Sequence, residues 1–518
     1  MSTLRERADE VAADEAVIRE GGGEKGRARQ QRHGRLTARE RIALLLDPGA
    51  EFFELSLWAG WGMYREHGGL PAAGVITGIG LVENRPCMII ANDATVKAGA
   101  MFPQSIKKTL RAQRIAFECG LPILYLVDSS GVFLPLQDEI FPDEDDFGRI
   151  FRNNAVISAA GLPQIAAIMG NCIAGGGYLP VLCDKLVMTE GSGLYLAGPA
   201  LVKAAIGQIV DTETLGGAGM HSAISGTVDF REKDDPACLD RVRRLVDLLG
   251  EPYIQTPSGE TMPERESDTL CDWWDSHGAQ PRDARELIGF FADRGSIQEF
   301  KAEYGKTLVC AYAKIGGNPV GIVASQRRHT KTGRGEIEIG GVIYADSADK
   351  AARFVMDCNQ TGIPLLFVQD VVGFMVGKDA EQSGIIRSGA KLVSAISNSV
   401  VPKVTLIVGD SFGAGHYALC GKAYDPNFIL AWPNVKYAVM GAQQAAGTLS
   451  SIQQDKSQDD VLESYLEQMD IRFGAARGWV DAVIRPERTR DHLVSIFRLL
   501  RKAPVRATRG FHTGVFQT

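Results

Sequence analysis

The chain has 518 residues, 45% of them hydrophobic and 23% charged, which excludes a disordered or fibrous chain and allows two or three domains with sizeable cores. Its formal net charge of -7 excludes the global basic field that holds nucleic acid. The nine cysteines (Cys87, Cys119, Cys172, Cys183, Cys238, Cys271, Cys310, Cys358, Cys420) are scattered and never spaced C-x-x-C, which argues against a disulfide frame or structural zinc and fits a reducing compartment.

The N-terminus, MSTLRERADEVAADEAVIRE, is too charged for a signal peptide and too acidic for a transit peptide. No apolar run approaches the roughly 18 residues that span a bilayer, so the expectation is a soluble cytoplasmic protein with no membrane partner. Residues 1–50 read as a charged helical leader, in which Thr37 and Glu40 have capping-box spacing before an apolar run that ends at Pro48-Gly49. The basic residues from Lys25 to Arg41 read as a solvated face.

Beyond the leader the chain alternates strand-like and helical stretches and then repeats itself. The strand NRPCMIIAND at Asn84 has a counterpart in GNPVGIVASQ at Gly317. The apolar run LPILYLVDSSGVFLP at Leu121, ending in an Asp and a Gly-containing loop, has a counterpart in IPLLFVQDVVGFMVG at Ile363. LPQIAAIMGNCIAGGGY at Leu162 pairs with VPKVTLIVGDSFGAGHY at Val401, and GPALVKAAIG at Gly198 with WPNVKYAVMG at Trp432. All four pairs keep an offset of about 230 to 240 residues, with drifts that loops absorb. FPQSIKKTLRAQRIAFECG and GIIRSGAKLVSAISNS supply helices, and a Pro, Gly, Ser and charge-rich stretch between Gly250 and Arg282 marks a boundary. The pattern predicts two copies of one α/β domain.

The Gly-rich turns carry the chemistry. Glycine leaves main-chain N–H groups bare, and a helix start behind them adds its positive end, although a tight packing corner gives the same letters. The turn occurs in both copies at the C-terminal end of a strand, where open α/β sheets place ligands, which favours two cradles for two anionic oxygens. The first is at Gly175 and Gly176, the second at Gly413, Ala414 and Gly415. A rival reading takes Gly409 to Gly413 as the G-x-S-x-G elbow of a serine hydrolase, with Ser411 as nucleophile and His492 and Asp491 late enough to serve it. Against it, the first copy has Cys172 at that position while the glycines recur. Lys97, Lys107, Lys108, Arg111 and Arg114 could grip a phosphate-bearing ligand or be solvated helix positions, and no metal constellation appears. Both His221 and His416, beside Gly-rich segments, read as structural.

The segments ANDATVKAG, LAGPALVKAA, LGGAGMHSAISGTVDF, GIIRSGAKLVSAISNSVVP and SFGAGHYALCGKAYDPNF resemble the β (carboxyltransferase) subunits of biotin-dependent acyl-CoA carboxylases, nearest the methylcrotonyl-CoA carboxylase branch. The likeness runs from about residue 20 to the closing FHTGVF. It implies two tandem crotonase-like (ClpP/crotonase superfamily) domains related by internal duplication, an N-terminal one over residues 20–260 and a C-terminal one over 275–515. It further implies transfer of CO2 from carboxybiotin to the enolate of an acyl-CoA such as 3-methylcrotonyl-CoA, with biotin-dependent decarboxylases of the same fold as the runner-up. The resemblance assigns Gly175 and Gly176 to the enolate and Gly413 and Ala414 to biotin, with Gly415, Gly373 and Phe374 beside the latter. It assigns Lys97, Lys107, Ser130, Gly131, Phe133 and Gly177 to the acyl-CoA. No biotinylation site of the A-M-K-M type and no ATP signature is present, so it implies a partner α subunit carrying biotin carboxylase and biotin carrier domains around a homo-hexameric core, α6β6, with no metal in this chain. Gly177 stands where the branch usually has Ala, Ser130 and Phe133 alter its usual loop, Gln208 replaces a Glu and His416 replaces an Asn, which leaves the acyl group unnamed.

Overall fold

The computed structural model describes residues 2–141, 143–249, 262–278, 280–333, 335–442, 445 and 458–501. Its contacts divide the chain into two units, one built on residues 14–255 and 476–478, the other on residues 1–13, 256–475 and 479–518.

In the first unit, β1 (Phe53–Leu55), β2 (Val75–Val82), β3 (Arg85–Asn92), β4 (Ile123–Ser129), β5 (Gln164–Ile173), β6 (Lys185–Thr189) and β8 (Phe230–Glu232) lie side by side in that order, and β7 (Gly193–Tyr195) pairs with the end of β5. β1 to β3 are antiparallel, whereas β3, β4, β5, β6 and β8 run parallel. The second unit repeats this plan with β9 (Gln298–Phe300), β10 (Leu308–Ile315), β11 (Asn318–Ser325), β15 (Leu365–Val371), β17 (Lys403–Phe412), β18 (Phe428–Ala431) and β20 (Ala482–Val483), and β19 (Lys436–Ala438) pairs with the end of β17. Between β11 and β15 it adds the antiparallel pair β12 (Thr330–Lys331) and β13 (Ile337–Glu338), and β14 (Val342–Ile343), which pairs with β16 (Gly373–Phe374).

The parallel strands read as continuous apolar runs because both faces are covered. In the first unit Leu124, Leu126, Ala167, Met169 and Val187 pack with Leu239 and Val242 of helix Asp235–Asp247. In the second, Val323, Leu365 and Phe367 pack with Phe354 and Leu392.

The crossover helices match in detail. Pro103–Cys119 and Ala345–Thr361 each have 17 residues. Ser105 Oγ accepts the Phe102 N–H and Ser347 Oγ the Tyr344 N–H, each at 2.9 Å. Both helices end on a left-handed glycine, Gly120 at φ 66° and Gly362 at φ 70°, where a side chain would be strained. Lys108 and Lys350 occupy the same place in the two helices, buried, and donate to the carbonyls of Ala72 at 3.0 Å and Tyr304 at 2.9 Å. Burial pushes the Lys108 pKa down to about 7. Lys108 is thus a brace between helix and loop and takes no part in gripping a phosphate. The leader helix Ala38–Leu45 opens on the expected capping box, with Glu40 accepting the Thr37 N–H at 2.7 Å.

Candidate functional site

The pairing of the two central strands slips at the same place in both sheets. β4 pairs with β5 as far as Val127↔Ile168 and resumes at Ser129↔Cys172, while β15 pairs with β17 as far as Gln369↔Ile407 and resumes at Val371↔Ser411. In each case the receiving strand carries extra residues, which bends it at the sheet's C-terminal edge. The acids that end the repeated apolar runs fill the bend. A Cβ on Gly170 would lie 2.0 Å from the Asp128 carboxylate, and one on Gly409 2.3 Å from that of Asp370. Asp128 accepts the Asn171 N–H at 3.2 Å, and Asp370 the Asp410 N–H at 3.0 Å.

Each acid is buried and needs a counter-charge. Arg41, 1% exposed, lies 3.2 Å from Asp128 and 2.8 Å from Asp235, and donates to the Met169 carbonyl at 2.7 Å. Arg327 lies 3.5 Å from both Asp370 and Asp410. Burial raises the Asp370 pKa and the Arg327 charge opposes the rise. Arg41 therefore departs from the solvated face expected of the basic leader segment.

Directly beyond each bend comes the Gly-rich turn. β5 runs into the 3-10 helix Ala174–Gly177 and then helix Tyr178–Val181, and β17 runs straight into helix Gly413–Ala418. The first N–H groups of such a turn have no partner within it, so Gly176 in the first turn and Gly413 and Ala414 in the second have N–H groups at a strand's C-terminal end that the turn itself does not use. The two turns differ in why they need glycine. A Cβ on Gly176 would meet only Gly131 Cα, at an ordinary 3.9 Å, so packing does not demand glycine there. Gly413 has φ +51°, and its Cβ would lie 2.6 Å from the Val439 carbonyl, while a Cβ on Gly415 would lie 2.8 Å from Val371 Cγ2 and 3.2 Å from Gly373 Cα. The packing corner accounts for Gly413 and Gly415, and the bare surface for Gly176.

The loop after β4 faces the first turn. Gly131, at φ 88°, donates to Ser129 Oγ at 3.2 Å, and its carbonyl accepts the Met101 N–H at 2.8 Å. Exposed Ser130 donates its N–H to Ala98 at 3.1 Å, which ties this loop to the left-handed pair Lys97 (φ 47°) and Ala98 (φ 54°). Backbone held in this region persists only where its surroundings enforce it. Phe133 stacks on Phe102 with ring centroids 4.1 Å apart, and His67 meets Phe133 edge-on at 5.0 Å. In the second unit the matching loop puts Gly373 behind Gly415 and turns the Phe374 ring onto Gly389, where a Cβ would lie 3.1 Å from it.

The sequence pattern that defines the family described as "Carboxyl transferase domain" matches residues 29–513. The chain belongs to the carboxyl transferase family. It is 43% identical to the Mycobacterium tuberculosis biotin-dependent 3-methylcrotonyl-coenzyme A carboxylase beta1 subunit over 503 residues, covering 94% of this chain and 92% of that one. It is 43% identical over 491 residues to the mitochondrial methylcrotonoyl-CoA carboxylase beta chain of Dictyostelium discoideum, covering 91% of this chain and 81% of that one. The crystal structure of the Pseudomonas aeruginosa geranyl-CoA carboxylase beta subunit superposes with a TM-score of 0.83 at 34% identity, covering 99% of this chain and 94% of that one. The crotonase-like fold expected from the sequence is the fold of this family.

The serine-hydrolase reading fails on access. Ser411 is fully buried inside β17 and donates to Gln369 Oε1 at 2.6 Å, and the backbone does not turn at it. A nucleophile elbow needs its serine at an exposed, strained turn. Asp491 is 2.7 Å from Arg488. His416 is buried against Ser411 (2.9 Å), Gln369 (3.0 Å) and Tyr437 (2.5 Å), and burial pushes its pKa down to about 4. His221 binds the Leu194 carbonyl at 2.7 Å and Ser225 Oγ at 2.9 Å.

Of the candidate lysines, Lys97 is exposed, its ammonium beside Gly68, where a Cβ would lie 3.0 Å away. Lys107 packs its stem along Gly478, and partial burial followed by the Arg477 charge lowers its pKa. Arg114 pairs with Glu118 at 3.0 Å. A Cβ on Gly177 would lie 3.2 Å from Leu194 Cδ1, closer than the contact at Gly176. Among the described residues, no group of three or more His, Cys, Asp or Glu is placed to hold a metal ion, and no helix is long and apolar enough to cross a membrane.

Sequence reasoning missed the arginine partners of the bend and the aromatic wall of Tyr64, His67 and Phe102 around Phe133. The repeated strand-ending Asp was the available signal for the first. None existed for the second, because its members come from separate loops.

Proposed function

We propose that the chain is the carboxyltransferase β subunit of a biotin-dependent acyl-CoA carboxylase, acting on 3-methylcrotonyl-CoA or a related short or branched acyl-CoA. The observation that carries this reading is the pair of glycine-bearing turns set on identical strand slips in the two sheets. One turn alone would serve one oxyanion, and carboxyl transfer between two carriers develops negative charge on two.

In this reading the N–H groups of Gly175 and Gly176 bind the thioester oxygen of the acyl-CoA as its α-carbon loses a proton and the oxygen becomes an enolate. An oxyanion donor of this kind contributes about 2.7 to 4 kcal/mol of transition-state stabilisation. Gly131 and Phe133 flank the acyl group, with Gly177 behind it, and Ser130, Lys97 and Lys107 lie along the coenzyme A side. The residues present fit biotin at the second turn: Gly413 and Ala414 offer donors to its ureido oxygen, and Gly373, Phe374 and Gly415 form a close-packed floor. Biotin, when bound, supplies the activated carboxyl group. The chain's own task there is to hold the two N–H groups in one direction and exclude water.

The proposal extends to a partner α subunit that carries biotin carboxylase and biotin carrier domains, to a homo-hexameric core, to a cytoplasmic setting, and to N- and C-terminal domains over residues 20–260 and 275–515. Co-purification with a biotinylated chain and ATP-dependent fixation of labelled bicarbonate onto acetyl-, propionyl-, 3-methylcrotonyl- and geranyl-CoA test it. Fixation strongest on 3-methylcrotonyl-CoA is expected. No fixation on any acyl-CoA, with a competent biotinylated partner present, refutes it.

A further inference from the structure

Four positions around the second turn differ together from their counterparts in the first. Strand register matches Gln369 with Val127, Ser411 with Cys172 and Tyr437 with Leu194, and the sequence repeat matches His416 with Gly177. The first unit fills this volume with Val127, Leu194, the weakly polar Cys172 thiol and no side chain at Gly177, so the topology does not require a polar network there. The second replaces all four by hydrogen-bonding residues that find one another. Such a buried network gains little stability over apolar packing, but when fully satisfied it fixes one geometry.

The hydrogens can be assigned from the partners. The Gln369 amide N–H groups donate to the carbonyls of Leu419 at 2.7 Å and His416 at 3.2 Å, which points its Oε1 at Ser411 and the imidazole. The Ser411 hydroxyl donates to that Oε1 at 2.6 Å. Nδ1 of His416 then faces two oxygens and must carry the ring hydrogen, which leaves Nε2 to accept the Tyr437 hydroxyl. A Cβ on Gly421 would lie 2.3 Å from Nε2, so the chain beyond the turn also closes on the ring.

We propose that His416 is a positioning residue of the carboxyl transfer reaction: its ring ties β15, β17 and β19 to the turn at Gly413 and Ala414 and fixes the direction of the two N–H groups that meet the ureido oxygen. The proposal rests on the carboxyltransferase reading given above. It makes the two turns unequal in construction, the first tied to its strand by the weak Cys172 thiol contact to the Gly176 carbonyl at 3.6 Å and the second by a four-residue side-chain clamp.

The test uses the purified chain with free biotin and the carboxylated acyl-CoA, and follows transfer to biotin. His416→Ala lowers kcat by about 10- to 100-fold, the cost of misplacing a group by a fraction of an ångström to one ångström, and leaves KM for the acyl-CoA within about twofold. Tyr437→Phe and His416→Asn each remove one part of the clamp and lower kcat by about 2- to 12-fold, the worth of one neutral hydrogen bond. Amide hydrogen exchange is the second readout: in His416→Ala it rises across residues 411–421 and stays unchanged across 172–182. Wild-type kcat with unchanged exchange in His416→Ala overturns the proposal, as does an equal rise of exchange across both turns. Absence of transfer in the wild-type chain would sink the carboxyltransferase reading instead, and the exchange pattern would still decide whether the clamp exists.

Discussion

Valine at Gly176 separates the two reasons for a glycine in a turn. The Cβ itself has room, since its nearest neighbour is Gly131 Cα at 3.9 Å, and Gly176 does not have the left-handed φ that excludes a side chain. Gly176→Val is therefore expected to cost no more than about 1 kcal/mol of stability. Under the proposed function its branches nonetheless occupy the space through which the thioester oxygen reaches the N–H. Losing one such donor costs about 2.7 to 4 kcal/mol, a fall in kcat of about 100- to 1,000-fold. Gly415→Ala is the contrast: its Cβ would press on Val371 at 2.8 Å and Gly373 at 3.2 Å, an overpacking cost of about 1 to 3 kcal/mol. Bicarbonate fixation with the biotinylated partner gives the first quantity, and urea unfolding of both variants the second. A Gly176→Val enzyme that keeps more than a third of wild-type turnover removes that N–H from the reaction. A Gly176→Val chain that unfolds as readily as Gly415→Ala makes both turns packing corners.

The remaining expectations are independent of one another. Arg41→Met leaves Asp128 and Asp235 buried without their counter-charge and is expected to lose about 3 to 5 kcal/mol in urea unfolding; stability equal to wild type would show that the acids do not need it. Ser411→Ala removes a buried hydrogen bond to Gln369 worth about 0.5 to 1.5 kcal/mol and lowers transfer without abolishing it, whereas complete loss of turnover in a folded Ser411→Ala chain would restore the nucleophile. His416 binds a proton at about 4 in the folded chain and at 6.5 unfolded, so between these values the unfolded chain takes up more protons. Its contribution is whole above pH 6.5 and is lost as pH falls towards 4, at up to about 1.4 kcal/mol per unit. Thermal unfolding of His416→Asn at pH 7, 5.5 and 4.5 should show a flatter acid limb, and an unchanged slope would mean that the folded chain protonates this imidazole as readily as the unfolded one.

Much of this architecture is legible in the letters because it is written twice. A lone run such as LPILYLVD shows a buried strand, but its recurrence as IPLLFVQD shows that the closing Asp belongs to the plan, and in both sheets that acid fills the strand bend. The Gly-rich turns at the strand ends were legible for the same reason. What sequence could not separate was charge at the surface from charge in the core. Arg41 and Lys108 lie in basic stretches that look solvated, yet both are buried because partners distant in the chain, Asp235 for one and the Ala72 carbonyl for the other, close over them. Ser411 satisfied a five-residue pattern whose meaning depends on exposure, which the pattern does not record.

The unequal glycines bear on how this enzyme could be re-engineered. Under the proposed function, room beside Gly176 means that a small side chain can be introduced there without disturbing the backbone, so acyl preference is open to change by small steps. The second turn has no such slack: a Cβ on Gly413 would lie 2.6 Å from the Val439 carbonyl and one on Gly415 2.8 Å from Val371. In that reading a designer seeking a new thioester varies the first half of the chain and leaves the second alone, since the carrier group proposed for the second turn stays the same whatever is being carboxylated.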